Sequence, residues 1–183
     1  MRHRSDLELA AGLAAVRAAP RESGTVEMIV RRPGVDLREE LAEGRLTPED
    51  GLVGDGWRAR GSRSTPDGSA DPDRQVTLMS SRVVDLFCGG DRDAWPQAGD
   101  QLYVDLDLSE ANLPPGTRLA VGDALVEVTA PPHTGCAKFT ARFGSAAMRL
   151  TASPEGRALR LRGLHARVLE PGVVRAGDPI RRA

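Results

Sequence analysis

Lysine is all but missing from this chain: of 25 basic residues, only Lys138 is not an arginine. So lopsided a ratio, beside heavy use of Ala, Gly and Pro, points to a coding bias rather than to an arginine-driven ligand. Aromatic residues are scarce at 3%, which excludes the stacked ring platform that single-strand binders use. Charge of one sign is also lacking. The formal net charge is −1, so no global field draws the chain to nucleic acid or to an anionic membrane. Cysteine occurs twice, as Cys88 and Cys136, too few for a disulfide framework in 183 residues. CxxC and HExxH are absent, and with them the usual spacing of structural zinc ligands. The compartment expected from this is reducing and cytoplasmic. No apolar run reaches the roughly 18 residues of a membrane span. "LELAAGLAAV" is bracketed by Asp6, Glu8 and Arg17, which does not suit a signal peptide.

The residues that are present read as a mainly β, barrel-like domain with a few peripheral short helices. Residues 1–23 form a helical extension and residues 24–183 the barrel. Ser5 and Glu8 have capping-box spacing ahead of Leu9, Leu13 and Val16, so a helix is predicted there. "GTVEMIVRRPG" alternates as a strand. "DLREELAEG" predicts a short helix stopped by Gly44, and "TPED" a further helical turn capped by Thr47. The Gly-, Ser- and Asp-rich stretch from Gly51 to Gln75 reads as a long polar loop, either functional or simply solvated. "QVTLMSSRVVDLF" begins as a strand and becomes a helix near Ser80. Strands come next in "DQLYVDLDL", Arg118–Val121, Leu125–Val128 and "LRLRGLHARVLE", the last with a phase break at Gly163, and a final short strand lies beyond a Pro-Gly turn. Short strands at this spacing, punctuated by Gly and Pro, argue for a barrel or sandwich.

The scarce residue types collect in "APPHTGCAKFTARFG", Ala130 to Gly144. Pro131 and Pro132 end the preceding strand, Gly135 permits a turn, and Cys136 emerges at the strand end. As a strand, residues 137–143 set Lys138, Thr140 and Arg142 on the face of Cys136. As a helix, Phe139 and Phe143 form an apolar stripe and Gly144 closes it. Either way basic groups lie near the sulfur, and such charge lowers a thiol pKa. Cys136 is thus either a reactive thiol or a small buried hydrophobe. Cys88, at the end of an apolar stretch, reads as packing. His133 is a base for the thiol or a surface imidazole; His165 and His3 read as structural or solvated.

Four stretches carry a resemblance: "GLVGDGW" (51–57), "RQVTLMSSRVVD" (74–85), "GDQLYVDLDLSEANLPPGTRLAVGDALVEVTAPPHTGCAKFTARFG" (99–144) and "HARVLEPGVVRAGDPI" (165–180). In this order they resemble the MOSC domain, named for the C-terminal domain of molybdenum cofactor sulfurases, over about Gly24 to Pro179. The resemblance implies a β-barrel and makes Cys136 the family's signature cysteine. It implies a molybdenum–pterin cofactor, with Cys136 as molybdenum ligand in relatives that reduce N-hydroxylated compounds, electrons coming from a redox partner protein. In sulfurases it implies a persulfide on the same sulfur, taken from a sulfur donor. Soft thiolate chemistry suits both roles. A further alternative is a non-catalytic interaction domain that uses the scaffold for protein contacts and keeps the cysteine as packing. Catalytic candidates are Cys136, Lys138 and His133. Cofactor-binding candidates are Cys136, Asp55, Arg58, Arg60, Arg74, Thr134 and Arg142, the arginines for an anionic pterin phosphate; the metal ligand is Cys136. Pyridoxal phosphate is associated with the family as a whole, but nothing here resembles its lysine site. Two departures stand out: Gly56-Trp57 where relatives carry a basic residue, and Gly99-Asp100-Gln101 where many carry Gly-Glu-Asn.

Overall fold

A computed structural model describes residues 2–183. The first element is helix α1 (Asp6–Arg17). Ser5 Oγ accepts from the Glu8 amide at 3.3 Å and a Glu8 carboxylate oxygen accepts from the Ser5 amide at 2.8 Å, the expected capping box. Leu9, Leu13 and Val16 point from it into the protein. The chain continues through β1 (Ser23–Arg31), β2 (Glu39–Leu41), β3 (Glu43–Thr47), β4 (Gly51–Leu52), α2 (Trp57–Arg60), β5 (Val76–Ser80), α3 (Ser81–Cys88) and β6 (Leu102–Asp105). It ends with β7 (Arg118–Val121), β8 (Ala124–Val128), α4 (Ala137–Ala152), α5 (Pro154–Ala158), β9 (Leu164–Glu170), β10 (Gly172–Arg175) and β11 (Pro179–Arg182). One-turn to two-turn 3₁₀ helices lie at 72–74 and 92–98.

Strands β11, β7, β8, β9, β5, β6 and β1 pair in that order, and β1 pairs back onto β11, which closes a seven-stranded barrel. Closure leaves no free edge along the ring. All these pairs are antiparallel except β5 with β6, whose connection carries α3. A small sheet, β10-β3-β4, packs beside the barrel and contributes Leu46, Leu52 and Val174 to its interior. A register shift in β1 between Val26 and Met28 separates two cores. Val26 and Ile29 face the barrel interior, while Met28 and Val30 face an outer layer made with α1, α3 and α4. The chain's three phenylalanines meet in that outer layer. Phe87 lies 5.7 Å from Phe139 and 6.0 Å from Phe143, and the latter two are 4.9 Å apart. Aromatic contacts of this kind add about 1 kcal/mol each beyond burial.

Three local expectations are corrected. Residues 36–44 are not a helix. Leu41 and Glu40 pair with Ile29 and Val30 of β1, and Glu43–Leu46 pair with β10. Gly44, expected as a helix stop, sits inside β3, where a Cβ would lie 2.7 Å from Leu52 Cδ1. Pairing to distant strands overrides the local helical pattern. At 47–50 the Thr47 hydroxyl does accept from the Asp50 amide at 3.1 Å, but the turn does not propagate as a helix. "LRLR" (159–162) is a turn after α5, and β9 starts only beyond Gly163. Gly163 has φ +90, and a Cβ there would lie 2.2 Å from the Leu78 carbonyl oxygen, so the phase break is a close backbone approach. The last segment also carries two strands, β10 and β11, rather than one. No helix among the described residues is long and apolar enough to cross a membrane.

Candidate functional site

After β8 the ladder cannot continue through Pro131 and Pro132, so residues 129–136 leave the barrel wall and cross to the start of α4. Cys136 is the residue capping that helix, in extended conformation, and it is exposed. Gly135 makes the passage possible, because a Cβ there would sit 2.6 Å from Met148 Sδ. Of the two conformations open to residues 137–143, the helix forms. Phe139 and Phe143 are its buried stripe, and Gly144, at φ 88, breaks it before a second helical stretch resumes.

The cations beside the sulfur are not free. Lys138 Nζ lies 2.8 Å and Arg142 Nη2 3.0 Å from one oxygen of Asp36, and Arg142 Nη1 donates to the Gln97 carbonyl at 2.9 Å. Lys138, through its hydrogen bond and its charge, holds the exposed Asp36 carboxyl below the usual carboxylate range. Both cations therefore strap the 33–38 loop to α4.

Two cavities flank residues 129–136. The smaller, 230 Å³, is lined by Arg32, Trp57, Arg60, Arg74, His133 and His165, among others. Arg32 is fixed by Asp55: Nε and Nη2 donate to the two carboxylate oxygens at 2.9 and 3.0 Å, and Nη1 donates to the Gly99 carbonyl. Asp55 is fully buried and also accepts from the amides of Arg32 and Trp57. It anchors the loop and an arginine, and both its oxygens are spent on that. Arg60 has no carboxylate partner among the described residues, and burial, with repulsion from Arg32 as the next cause, pulls its pKa down. Arg74 Nε lies 3.2 Å from Asp71 but has no aligned hydrogen bond. Arg58 instead pairs with Asp50 at 3.0 Å on the surface and lines neither cavity.

His133 lines both cavities. Its side chain is 13% exposed, so the surface-imidazole reading is corrected: the double proline turns this residue inward. Its ring is 4.5 Å from that of His165, centroid to centroid. His165 is not solvated either; it points from β9 into the smaller cavity and is buried. Burial, reinforced by nearby arginines, lowers both imidazole pKa values, His133 well below the ordinary range and His165 to about 4. Both are neutral at pH 7. Behind them Asp100 is wholly buried, 2.7 Å from Arg162 Nη1, with its other oxygen 3.4 Å from His133 Nδ1 and not aligned as a hydrogen bond. Asp100 is the residue standing where the Gly-Glu-Asn triplet of relatives is altered.

The larger cavity, 460 Å³, is lined by residues 129–135, including Thr134, and by Met148, Ala152 and Leu164. Thus Arg60, Arg74 and His133 line the smaller cavity, with Asp71 as the charge nearest Arg74, and His133 and Thr134 line the larger one, whereas Asp55, Arg58, Lys138 and Arg142 are engaged in ion pairs. Cys136 itself lines neither cavity, though Gly135 before it lines the larger. Arg32 and Arg162 carry no mark in the sequence as site residues, Asp100 stands out there only as a departure and His165 only as a strand residue; burial and convergence bring the four together. Among the described residues no group of three His, Cys, Asp or Glu could hold a metal ion, so a metal here would have Cys136 as a lone protein ligand.

Comparison with known families finds that the MOSC domain matches residues 66–181. Among solved structures, the YUAD protein from Bacillus subtilis superposes with a TM-score of 0.61 at 17% identity, covering 86% of this chain and 94% of that one. YiiM from Escherichia coli gives 0.55 at 23% identity, covering 87% and 69%. YiiM from Geobacillus stearothermophilus gives 0.59 at 16% identity, covering 87% and 75%. These likenesses concern the fold. No curated protein sequence matches the chain.

Proposed function

Because the chain belongs to the MOSC domain family, we propose that it binds a molybdenum–pterin cofactor through the Cys136 thiolate and reduces N-hydroxylated small molecules in the cytoplasm. The observation that carries this is the exposed thiol of Cys136 at the end of a segment whose Gly135 lines the larger cavity and whose His133 lines both it and a cationic cavity with buried polar atoms left unpaired.

The donor set fits the group. Arg74 Nε and the Nδ1 atoms of His133 and His165 are buried without hydrogen-bond partners among the described residues, and buried polar atoms ordinarily have one. With Arg32 and Arg60 they surround a space sized for the phosphate end of a pterin rather than for the whole molecule. The thiolate of Cys136 is a soft donor suited to molybdenum. When bound, the cofactor supplies a metal that accepts two electrons from a separate redox protein and delivers them to an N–O bond.

The chain's own residues do the rest. Arg60 and Arg74 neutralise the bound anion, and Asp55 keeps Arg32 oriented toward it. His133, neutral and in contact with both cavities, holds one N–H and one lone pair, so it can take up a proton on one nitrogen as it releases one from the other. Reduction of R–NHOH to R–NH₂ and water consumes two protons along with two electrons, and we assign their passage to His133 because it lines both cavities. Lys138 and Arg142, by clamping Asp36, position the 33–38 loop against the helix that carries the thiol.

Protein from a host that makes the cofactor should contain near-stoichiometric molybdenum by elemental analysis, and Cys136→Ser should lose it. Retention of metal by Cys136→Ser removes the ligand assignment. A persulfide adduct of about 32 Da on Cys136 without molybdenum would make the protein a sulfur carrier instead.

A further inference from the structure

The larger cavity has a chemistry of its own. Most of its surface is apolar, with Ala130, Pro131, Pro132, Met148, Ala152 and Leu164 among the residues that line it. Its 460 Å³ falls in the range of small-molecule sites. Of the lining arginines, Arg162 is already paired with Asp100. Arg157 and Arg160 have no carboxylate partner among the described residues, against a single lining acid, Glu110.

Arg160 is the unusual one. Its φ of +47 is that of the left-handed residue closing α5: the Leu161 amide donates to the Gly156 carbonyl and the Arg160 amide to the Arg157 carbonyl, both at 2.9 Å, so the helix cap fixes where this side chain departs. Its guanidinium is half-buried, and only Nη1 is engaged, with the carbonyl oxygens of Leu113 at 2.6 Å and Leu108 at 3.5 Å. Nε and Nη2 have no acceptor among the described residues. Burial lowers the pKa of this group, and the charge of Glu110 offsets that in part. An arginine fork with two nitrogens unused suits a carboxylate taken bidentately.

We propose that this cavity binds a small, largely apolar carboxylic acid, its hydrocarbon body against Pro131, Pro132 and Met148 and its carboxylate on Arg160. Gly135 lines the cavity and precedes Cys136, so a molecule held there lies beside the thiol-bearing turn. As the place where the substrate binds, it rests on the cofactor reading above; as a binding site, it does not.

The test uses the full chain as purified, with its molybdenum content measured, so that loss of the cofactor reading is seen separately. The probes are 2-naphthoate and its neutral counterpart 2-naphthylmethanol, followed through ¹³C-methyl methionine resonances. Met148 lines the cavity, while Met28 and Met79 are fully buried in the outer core and serve as references. Naphthoate should shift Met148 selectively and bind about tenfold more tightly than the alcohol. Arg160→Met should weaken naphthoate about tenfold and leave the alcohol within about twofold, which also shows that the variant is folded. Ala152→Trp, at an exposed position on the wall, should weaken both. Equal binding of acid and alcohol overturns the proposal, as does an Arg160→Met protein that keeps its preference for the acid. Naphthoate binding abolished by Arg60→Met but not by Arg160→Met would place the acid in the smaller cavity and overturn it as well.

Discussion

His133 and His165 stack their imidazoles 4.5 Å apart with planes inclined by 42°, and neither Nδ1 has a partner among the described residues. His133 arrives from the segment that leaves the barrel wall after β8 and His165 from β9 in the wall, so the pair joins that segment to the barrel. Arg162, Arg74 and Arg32 all bear on both rings, with Asp71 as the opposing charge near His165. Cations and burial act in the same direction and keep the rings uncharged.

This arrangement makes stability depend on pH between about 6.5 and 4. In the unfolded chain a histidine titrates near 6.5, whereas folded His165 titrates at about 4. Below 6.5 the unfolded chain binds the extra proton, so stability present at neutral pH is lost as the pH falls toward 4. For His165 alone the loss at pH 5 is about 2 kcal/mol, and His133 adds to it in the same sense. Asp100 acts oppositely, since burial raises its carboxyl pKa and protonation there favours the folded state. Urea denaturation at pH 7 and pH 5 should show a lower midpoint at pH 5, and His165→Gln should shrink the difference. An unchanged pH difference in that variant would show that the ring is already charged or exposed.

The buried Asp100–Arg162 pair sets a second expectation. Both side chains are nearly inaccessible, and Arg162 also donates to the Ala98 carbonyl. Removing one partner leaves the other charge desolvated, at a cost of about 3–5 kcal/mol. Asp100→Asn and Arg162→Met should each lower stability by that order in chemical denaturation. The double variant should cost less than the two losses added together, because it removes both charges. Single variants each costing under about 1 kcal/mol would mean the pair is hydrated.

How far the sequence discloses this structure depends on the range of the interactions involved. The α1 capping box joins residues three apart, and the strand-to-helix change at Ser80 and Ser81 is written in a local change of period; both are legible. The 36–44 segment misleads because its partners, β1 and β10, lie elsewhere in the chain. Cys136 stands out through rarity and family resemblance. Arg32 and Asp55 are 23 residues apart and Asp100 and Arg162 are 62 apart; in a chain with so many arginines, no single one announces such a partner. His165 looks like an ordinary strand residue, since alternation gives its face but not the ring that meets it. Arg160 is invisible for a different reason: its significance lies in donors left unused in the lining of a cavity.

The two thiols should differ sharply in reactivity. Cys88 is 5% exposed at the end of α3, and burial, aided by Asp91 and Asp85, pushes its thiol up to about 12. At pH 8 about one molecule in ten thousand would carry that thiolate, which is the reactive form. Cys136 is exposed and has no such barrier of access. Native metal-free protein treated with iodoacetamide should therefore take up one label, at Cys136, and the denatured chain two. Cys136→Ser should remain unlabelled while folded. Addition of the cofactor should then protect Cys136, since a sulfur bound to a metal is no longer a free nucleophile. Rapid native labelling of Cys88 would mean that the outer core opens readily, and a Cys136 that resists alkylation without metal would deprive the proposed site of its ligand.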